Sequence, residues 1–491
     1  MRYLFIFFLL SAALQTHAEE LTLRQAISDG LTRGYSIQIQ KSTADAKKDL
    51  TDVSDSRFDP SVTVSVTAKG NEDPTDYTPY NMDYLRERSY TGKASLKKLH
   101  YSGMTGEFVF KTERLRSNNP YYSLDPSYRN VFLMNITQPL LKNFGRDINT
   151  TDVKNAELTA MQYRFDLYSG MLDTAAAIEK AYYSLSRARD ILALALRSET
   201  LAQSLLEYDK KRYAAGIIPV TEVQQAETAL AGRQERVVSA KEAVKNAADR
   251  LSNLTNTPVS GEYTSTENIV FHAEKTDCPA SYETALKLSP NIEKQRIELK
   301  KYDLTIKYMD NQQLPELDLV GTLGASGLSG TENSATKFEG GYSDSLFDMT
   351  RADGVQWLLG VNFSYPLGAR GAKSKTASLK NEKLAAVYTL KKTENDTKTD
   401  IRTAINSIES AEKRYDIANT FISLAETTLD QEMKKMNEGL SDTFRILKFQ
   451  DDLIDAQIRS VNALYDHSAG LAVLRRAEGT SLDYFGFKLG E

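Results

Sequence analysis

Two hydrophobic periods alternate along this chain. From Ile178 the apolar positions fall three or four residues apart, through Ala181, Leu185, Ala188, Leu192, Ala195, Ala202 and Leu206, with Glu199 standing at one step. The run breaks at Gly216-Ile217-Ile218-Pro219. It then resumes through Val223, Ala226, Leu230, Arg233, Val237, Ala240, Val244, Ala247, Leu251 and Leu254. A 3.5-residue repeat sustained over several heptads predicts helices wound on neighbouring helices. Alanine at most second heptad positions lets those neighbours approach closely. The first arm, starting near Asp147, predicts a helix of roughly 65 residues or ~100 Å, against an average of about 11–12 residues in compact domains. A second such arm begins near Lys373, with the seam Ile401, Ala404, Ile408, Ala411, Tyr415, Ala418, Ile422, Ala425 and Leu429. It turns at Glu438-Gly439-Leu440 and returns through Ile446, Phe449, Leu453 and Ala456.

The other period is two. Val62, Val64, Val66 and Ala68 alternate with Ser61, Thr63, Ser65 and Thr67, which predicts a strand with one apolar and one hydroxyl face. A half-buried soluble strand has that pattern, and so does the wall of a water-filled barrel. A hairpin is predicted at Ala94–Leu99 and Glu107–Thr112 around Ser102-Gly103-Met104-Thr105-Gly106, and a strand over Arg129–Gln138 ends at Pro139. In the second half Leu317, Leu319 and Leu323 share a strand face, and a Gly/Ser-rich loop follows. Val355, Trp357, Leu359, Val361, Phe363 and Tyr365 then alternate over about eleven residues, the length of a tilted membrane strand. Trp357 and Tyr365 are its candidate interfacial anchors.

The order helices, strands, long helical hairpin thus occurs twice. The predicted segments are helices over 19–57, strands and loops over 58–140, a coiled-coil hairpin over 147–255 and a connector over 256–280. The second copy has helices over 281–313, strands over 315–367 and a hairpin over 373–475, followed by a tail over 476–491. Met1-Arg2-Tyr3, the apolar run Leu4 to Leu10 and the site Thr16-His17-Ala18 read as a signal peptide over residues 1–18. The run is too short for a membrane span, which needs ~20 residues. The single cysteine, Cys278, permits no intrachain disulfide, which suits a bacterial envelope protein. No later stretch is long and apolar enough for a membrane helix, so entry into a bilayer requires a β-barrel. A net charge of −5 without a dense Lys/Arg block gives no support for nucleic-acid binding.

One chain offers too few strands to close a barrel with a useful lumen, so several chains must close it, most simply with cyclic symmetry. At this point a resemblance becomes specific. Arg212-Tyr213-Ala214-Ala215-Gly216-Ile217, Thr221-Glu222-Val223-Gln224-Gln225-Ala226, Phe363-Ser364-Tyr365-Pro366-Leu367 and Glu438-Gly439-Leu440 resemble the TolC family of outer-membrane efflux proteins. The match covers nearly all of the chain after the signal. It implies a mainly α fold with a membrane β-barrel: a homotrimer with a long periplasmic α-barrel and a shared outer-membrane β-barrel. It also implies partners, namely a periplasmic adaptor and an inner-membrane efflux pump or ABC exporter. The function implied is passive export by a tripartite efflux or type I secretion system.

In that family the helix–helix turns form the periplasmic tip. The resemblance therefore places Gly216 and Gly439 in the turns, with Ile217 and Leu440 as adaptor contacts. The bland alternative is that both glycines only terminate helices. Acidic residues commonly narrow the entrance just after the turn; Glu222 matches one such position. A pair of aspartates in the second half is replaced here by Arg445 and Lys448, three residues apart on one helix face. Three chains would make a ring of positive charge, expected to weaken cation preference, with Glu222 paired to Arg445 in the closed state; an ordinary solvated helix face is the competing reading. The span from Pro60 to Pro139 is about 28 residues longer than that from Pro315 to Pro366, enough for one extra hairpin. The segment 90–115 either adds barrel strands or forms an extracellular loop. Lys93, Lys97, Lys98 and Lys111 argue against a lipid-facing surface, and the usual twelve-strand trimer is preferred.

No chemistry is indicated. His17, His100, His272 and His467 lack metal-ligand spacing, Cys278 has no nucleophile context, and no phosphate-binding loop is present. No catalytic residue, metal or cofactor is therefore assigned. The competing readings are a soluble periplasmic coiled-coil adaptor or scaffold, and an outer-membrane receptor or adhesin using residues 70–130.

Overall fold

The computed structural model describes residues 21–75, 83–257, 269, 271, 274, 276–332 and 339–487. The predicted signal peptide and His272 lie outside the described residues, as does most of the connector. In chain order the elements of the first half are α1 (Leu23–Arg33), α2 (Tyr35–Asp55), β1 (Ser61–Pro74), β2 (Tyr84–Leu99), β3 (Thr105–Ser117), β4 (Leu124–Pro139), α3 (Arg146–Asn149), α4 (Thr151–Ala214) and α5 (Val220–Thr255). Those of the second half are α6 (Cys278–Leu288), α7 (Pro290–Asn311), β5 (Glu316–Glu332), α8 (Tyr342–Thr350), β6 (Gly354–Ser364), α9 (Arg370–Asn437), α10 (Thr443–Glu478) and α11 (Ser481–Tyr484). Two units result: Met1–Ala44, Tyr163–Gln295 and Thr389–Glu491 form the helical one, and Asp45–Gln162 with Arg296–Tyr388 the other, which contains every strand.

In the helical unit the heptad seams are buried. α4 runs for 64 residues and α9 for 68. Ile178, Leu185, Ala202 and Leu206 of α4 and Val223, Ala226, Val237, Val244 and Leu251 of α5 are sequestered, as are Ile401, Ala404, Ile408 and Ala411 of α9. Each hairpin receives a short helix from its own half. Ala26, Ile27 and Leu31 of α1 pack with α4 and α5, while Ala285 of α6 packs with α9 and α10. The tail does not remain outside this core, because Leu482 of α11 is buried beside Ile178 and Leu185.

Two charged side chains occupy seam-like positions. Arg233 is 3% exposed and donates to the Ser198 carbonyl at 3.0 Å and to Gln450 Oε1 at 2.8 Å, which ties α5 to α4 and α10. Burial pushes its pKa down, and Asp451 opposes that shift. Glu179, fully buried on α4, is ion-paired with Arg475 of α10 and accepts from the Tyr183 hydroxyl at 3.2 Å. Desolvation raises the Glu179 pKa, and Arg475 counters it.

The second unit is a single antiparallel sheet in the order β1-β2-β3-β4-β5-β6, with β1 and β6 each leaving one edge unpaired among the described residues. The segment 90–115 is therefore neither a loop nor a short hairpin: β2 and β3 are full strands of 16 and 13 residues inserted between β1 and β4. Among the described residues the sheet of one chain thus holds six strands, where the twelve-strand trimer expects four. Lys93, Lys97 and Lys111 lie on the face of Ser65, Ser61 and Val131, and only Lys98, one row from the β2–β3 turn, shares the apolar face. The Gly/Ser-rich stretch after β5 also contains α8. Its Ser345 is buried, donates to the Gly327 carbonyl at 2.9 Å and accepts from Asn130 at 3.1 Å.

Breaking the Glu179–Arg475 pair leaves an uncompensated buried charge. Glu179→Ala is expected to cost about 3–5 kcal/mol, and the double variant Glu179→Met/Arg475→Met to cost much less. Chemical denaturation of the assembled protein checks this ordering.

Candidate functional site

Two regions combine exposure with unusual chemistry: the turns closing the long hairpins, and the faces of the sheet. The turns are built alike. The Ile217 amide donates to the Arg212 carbonyl at 2.9 Å and that of Gly216 to Tyr213 at 2.8 Å. In the second hairpin Leu440 donates to Lys435 at 2.8 Å and Gly439 to Met436 at 3.0 Å. Both glycines hold positive φ, 73° and 79°, as this six-to-one helix ending requires. The residues after them differ in kind from the core: Ile217 is 65% exposed and Leu440 68%. Tyr213 and Phe444 are exposed beside them, so apolar side chains face outward at both turns.

Beneath the turns lies a carboxylate pair unseen in the sequence reading. Thr443 Oγ1, fully buried, is 2.9 Å from Asp209 Oδ2 and 2.9 Å from Glu222 Oε2. A hydroxyl has one proton to donate, so it can serve only one of the two carboxylates at a time. Asp209 is buried, its Oδ1 has no partner, and desolvation together with the charge of Glu222 pushes its pKa up, against the opposing hydrogen bond from Thr443. The signal was available: Asp209 and Thr443 stand three residues from Leu206 and Ile446, on the continuing seams.

Glu222 therefore meets Thr443 and not Arg445 within the chain. Arg445 instead lies 3.8 Å from Glu432 and 3.7 Å from Asp442, and Lys448 is 2.8 Å from Asp452. Ser441 and Lys435 also bond Glu432, at 2.8 and 3.1 Å, and hold its carboxyl below the usual range. The two cations of the expected ring are thus each matched by carboxylates of the same chain.

The sheet faces sort by register. Direct cross-strand partners form the rows Val62, Leu96, Phe108, Met134, Leu323, Trp357 and Val64, Ala94, Phe110, Phe132, Ala325, Val355. Every member is apolar across all six strands. The reverse face carries Ser61, Lys97, Glu107, Asn135 and Thr322 in one row, and Thr63, Ser95 and Gln356 in the next, around Val109 and Leu133. Trp357 is 76% exposed on the apolar face, and Tyr365 follows the helix-proximal end of β6. Among the described residues no helix is long and apolar enough to cross a membrane, and no His/Cys/Asp/Glu group is placed to hold a metal ion.

The pH dependence of the turns follows from Asp209. Its folded pKa lies above the unfolded value of 3.8, so ionising it opposes folding. That cost is absent below the unfolded pKa and grows as pH rises towards the folded one. Amide protection factors over residues 205–225 and 436–447, corrected for intrinsic exchange, are expected to be higher at pH 5 than at pH 7. Asp209→Asn should remove that difference and raise protection at pH 7.

The family model described as outer membrane efflux protein matches residues 105–257 and 281–480. Outer membrane protein TolC of Escherichia coli (strain K12) is 22% identical over 339 residues, which span 67% of this chain and 65% of the relative. The Campylobacter jejuni CmeC outer membrane channel superposes with a TM-score of 0.65 at 15% identity, covering 96% of this chain and 87% of that one. The outer membrane protein VceC from Vibrio cholerae gives a TM-score of 0.66 at 14% identity, covering 93% of this chain and 96% of that one. With both hairpins inside the matched residues, the chain belongs to the outer membrane efflux protein family.

Proposed function

We propose that the protein is the outer-membrane channel of a tripartite efflux or type I secretion system, a passive conduit with no enzymatic step. The observation that carries this is the two-faced sheet. Two wholly apolar rows cross six strands, the reverse face is largely polar, and neither edge is paired among the described residues. A soluble periplasmic scaffold would have no use for such a surface, where Val66 and Trp357 are 83% and 76% exposed.

In hydrocarbon an unpaired strand edge is costly, so β6 of one copy pairs with β1 of the next. An even strand number per chain keeps that seam antiparallel. A homotrimer then closes eighteen strands. Since barrel diameter grows roughly linearly with strand number, the outlet is about one and a half times as wide as a twelve-strand barrel. Trp357 and Tyr365 sit towards opposite ends of the apolar stretch of β6, where interfacial anchors belong. The long hairpins supply the periplasmic α-barrel. Ile217 and Leu440, with the turns at Gly216 and Gly439, form its adaptor-facing tip, which engages the periplasmic adaptor of an inner-membrane pump or ABC exporter. Glu222, Arg445 and Lys448 line the constriction. Because carboxylates offset both cations, the ring carries little net positive charge.

Planar bilayers test this reading. The purified mature protein should run as a trimer and give discrete conductance steps, whereas a monomer that leaves the bilayer silent would contradict it. Arg445→Ala/Lys448→Ala should uncover Glu432, Asp442 and Asp452, moving the reversal potential in a salt gradient towards cation selectivity. An unchanged potential would remove these residues from the constriction.

A further inference from the structure

The inserted hairpin carries, on its apolar face, a feature that lipid contact alone does not explain. Arg88 of β2 stands directly opposite Arg116 of β3, and Arg114 stands opposite both Tyr90 and Tyr128. Directly opposed residues have Cβ atoms about 4.5–5.5 Å apart, and like charges in such a pair repel. Among the described residues Arg86 is matched by Glu72 at 2.9 Å. Arg88, Arg114 and Arg116 have no carboxylate partner there, and the Arg114 Nε is buried and unbonded. The Arg114 guanidinium lies 5.9 Å from the Tyr128 ring centroid. Three guanidiniums thus converge on one sheet face with no counterion among the described residues.

Their depth is informative. Lys98 stands near the turn-proximal end of this face, and Arg88 stands ten residues along β2, next to the charged pair Arg86 and Glu72. At about 3.3 Å per residue and a tilt of 35–45°, that separation is roughly 25 Å of membrane height, the height of a barrel's apolar band. Between them lie Leu96, Ala94, Gly92 and Tyr90, apolar residues closed by an aromatic at the arginine end. The arginines therefore stand where headgroups begin, above the tyrosines. Guanidiniums bind phosphate bidentately, whereas water alone leaves the opposed pair repelling.

We infer that Arg88, Arg114 and Arg116 form an outward-facing site for the phosphates of an anionic membrane lipid, so that the inserted hairpin carries a headgroup clamp on the barrel wall. This rests on the channel reading, which makes the apolar face the lipid face. A phosphorylated headgroup supplies the missing anions, and its acyl chains continue down the rows of Ala94 and Phe110.

The test uses the full-length protein, purified and reconstituted. Native mass spectrometry compares retention of a diphosphorylated glycolipid with that of the same lipid after enzymatic dephosphorylation. The assembled trimer should retain the phosphorylated form at least about tenfold better, as a gain of ~1.4 kcal/mol would give. Arg88→Gln/Arg114→Gln/Arg116→Gln should abolish the preference, and the corresponding triple Lys variant should keep part of it. If the triple Gln variant fails to assemble, Arg116→Gln alone, at an exposed position, should lower the ratio. Equal retention of the two lipids by an intact trimer overturns the site, as does an unaltered preference in the Gln variants. Capture of inorganic phosphate by the arginines with neither lipid retained also overturns it, since the site would then hold only a free anion. A monomeric protein overturns the channel reading along with it.

Discussion

The backbone hydrogen bonds left open at β1 and β6 govern the rest of this molecule. In water such edges would be solvated. Beside six strands of apolar surface they are not, and the only remedy is another strand. Among the described residues the sheet of one chain has six strands with both outer edges free. On the channel reading, strands of neighbouring copies close those edges, and the repeated helical hairpins continue the same conduit.

Within each chain the hairpins are held by means suited to a wall rather than a globule. Alanine alternates with larger residues along the seams, and the charged exceptions are bonded across helices. Arg233 joins three helices, and Glu179 is matched by Arg475. At the turns the pattern changes, since carboxylates and a threonine replace the apolar layer under exposed Ile217 and Leu440. Unlike a packed apolar core, this layer contains a buried carboxylate, Asp209, whose ionisation is opposed by burial, so its packing responds to pH.

Much of this was legible along the chain, because each period has a direct physical meaning. The 3.5-residue seam located α4, α5, α9 and α10, and the glycine turns identified themselves by their place between seams. The hydroxyl face of β1 was equally clear. The inserted hairpin is less legible: its lysines suggest a surface unfit for lipid, yet period-two alternation turns Lys93, Lys97 and Lys111 away from the apolar rows. Register with β1 and β4 is a non-local property and had to come from the fold. α8 was hidden by its short length and glycine-rich setting, and α11 by its position in a tail. The Asp209–Thr443–Glu222 contact joins residues more than two hundred positions apart, beyond any motif. Within one chain Arg445 stands beside Glu432 and Asp442, carboxylates that charge pattern alone does not single out as its neighbours.

The account stands or falls on how many strands surround the pore and who contributes them. Electron cryo-microscopy of the protein in lipid nanodiscs resolves both. Three copies with β2 and β3 inside the wall, eighteen strands in all, is the predicted result. A twelve-strand wall with the hairpin projecting from it, or a barrel closed by one copy, would contradict it.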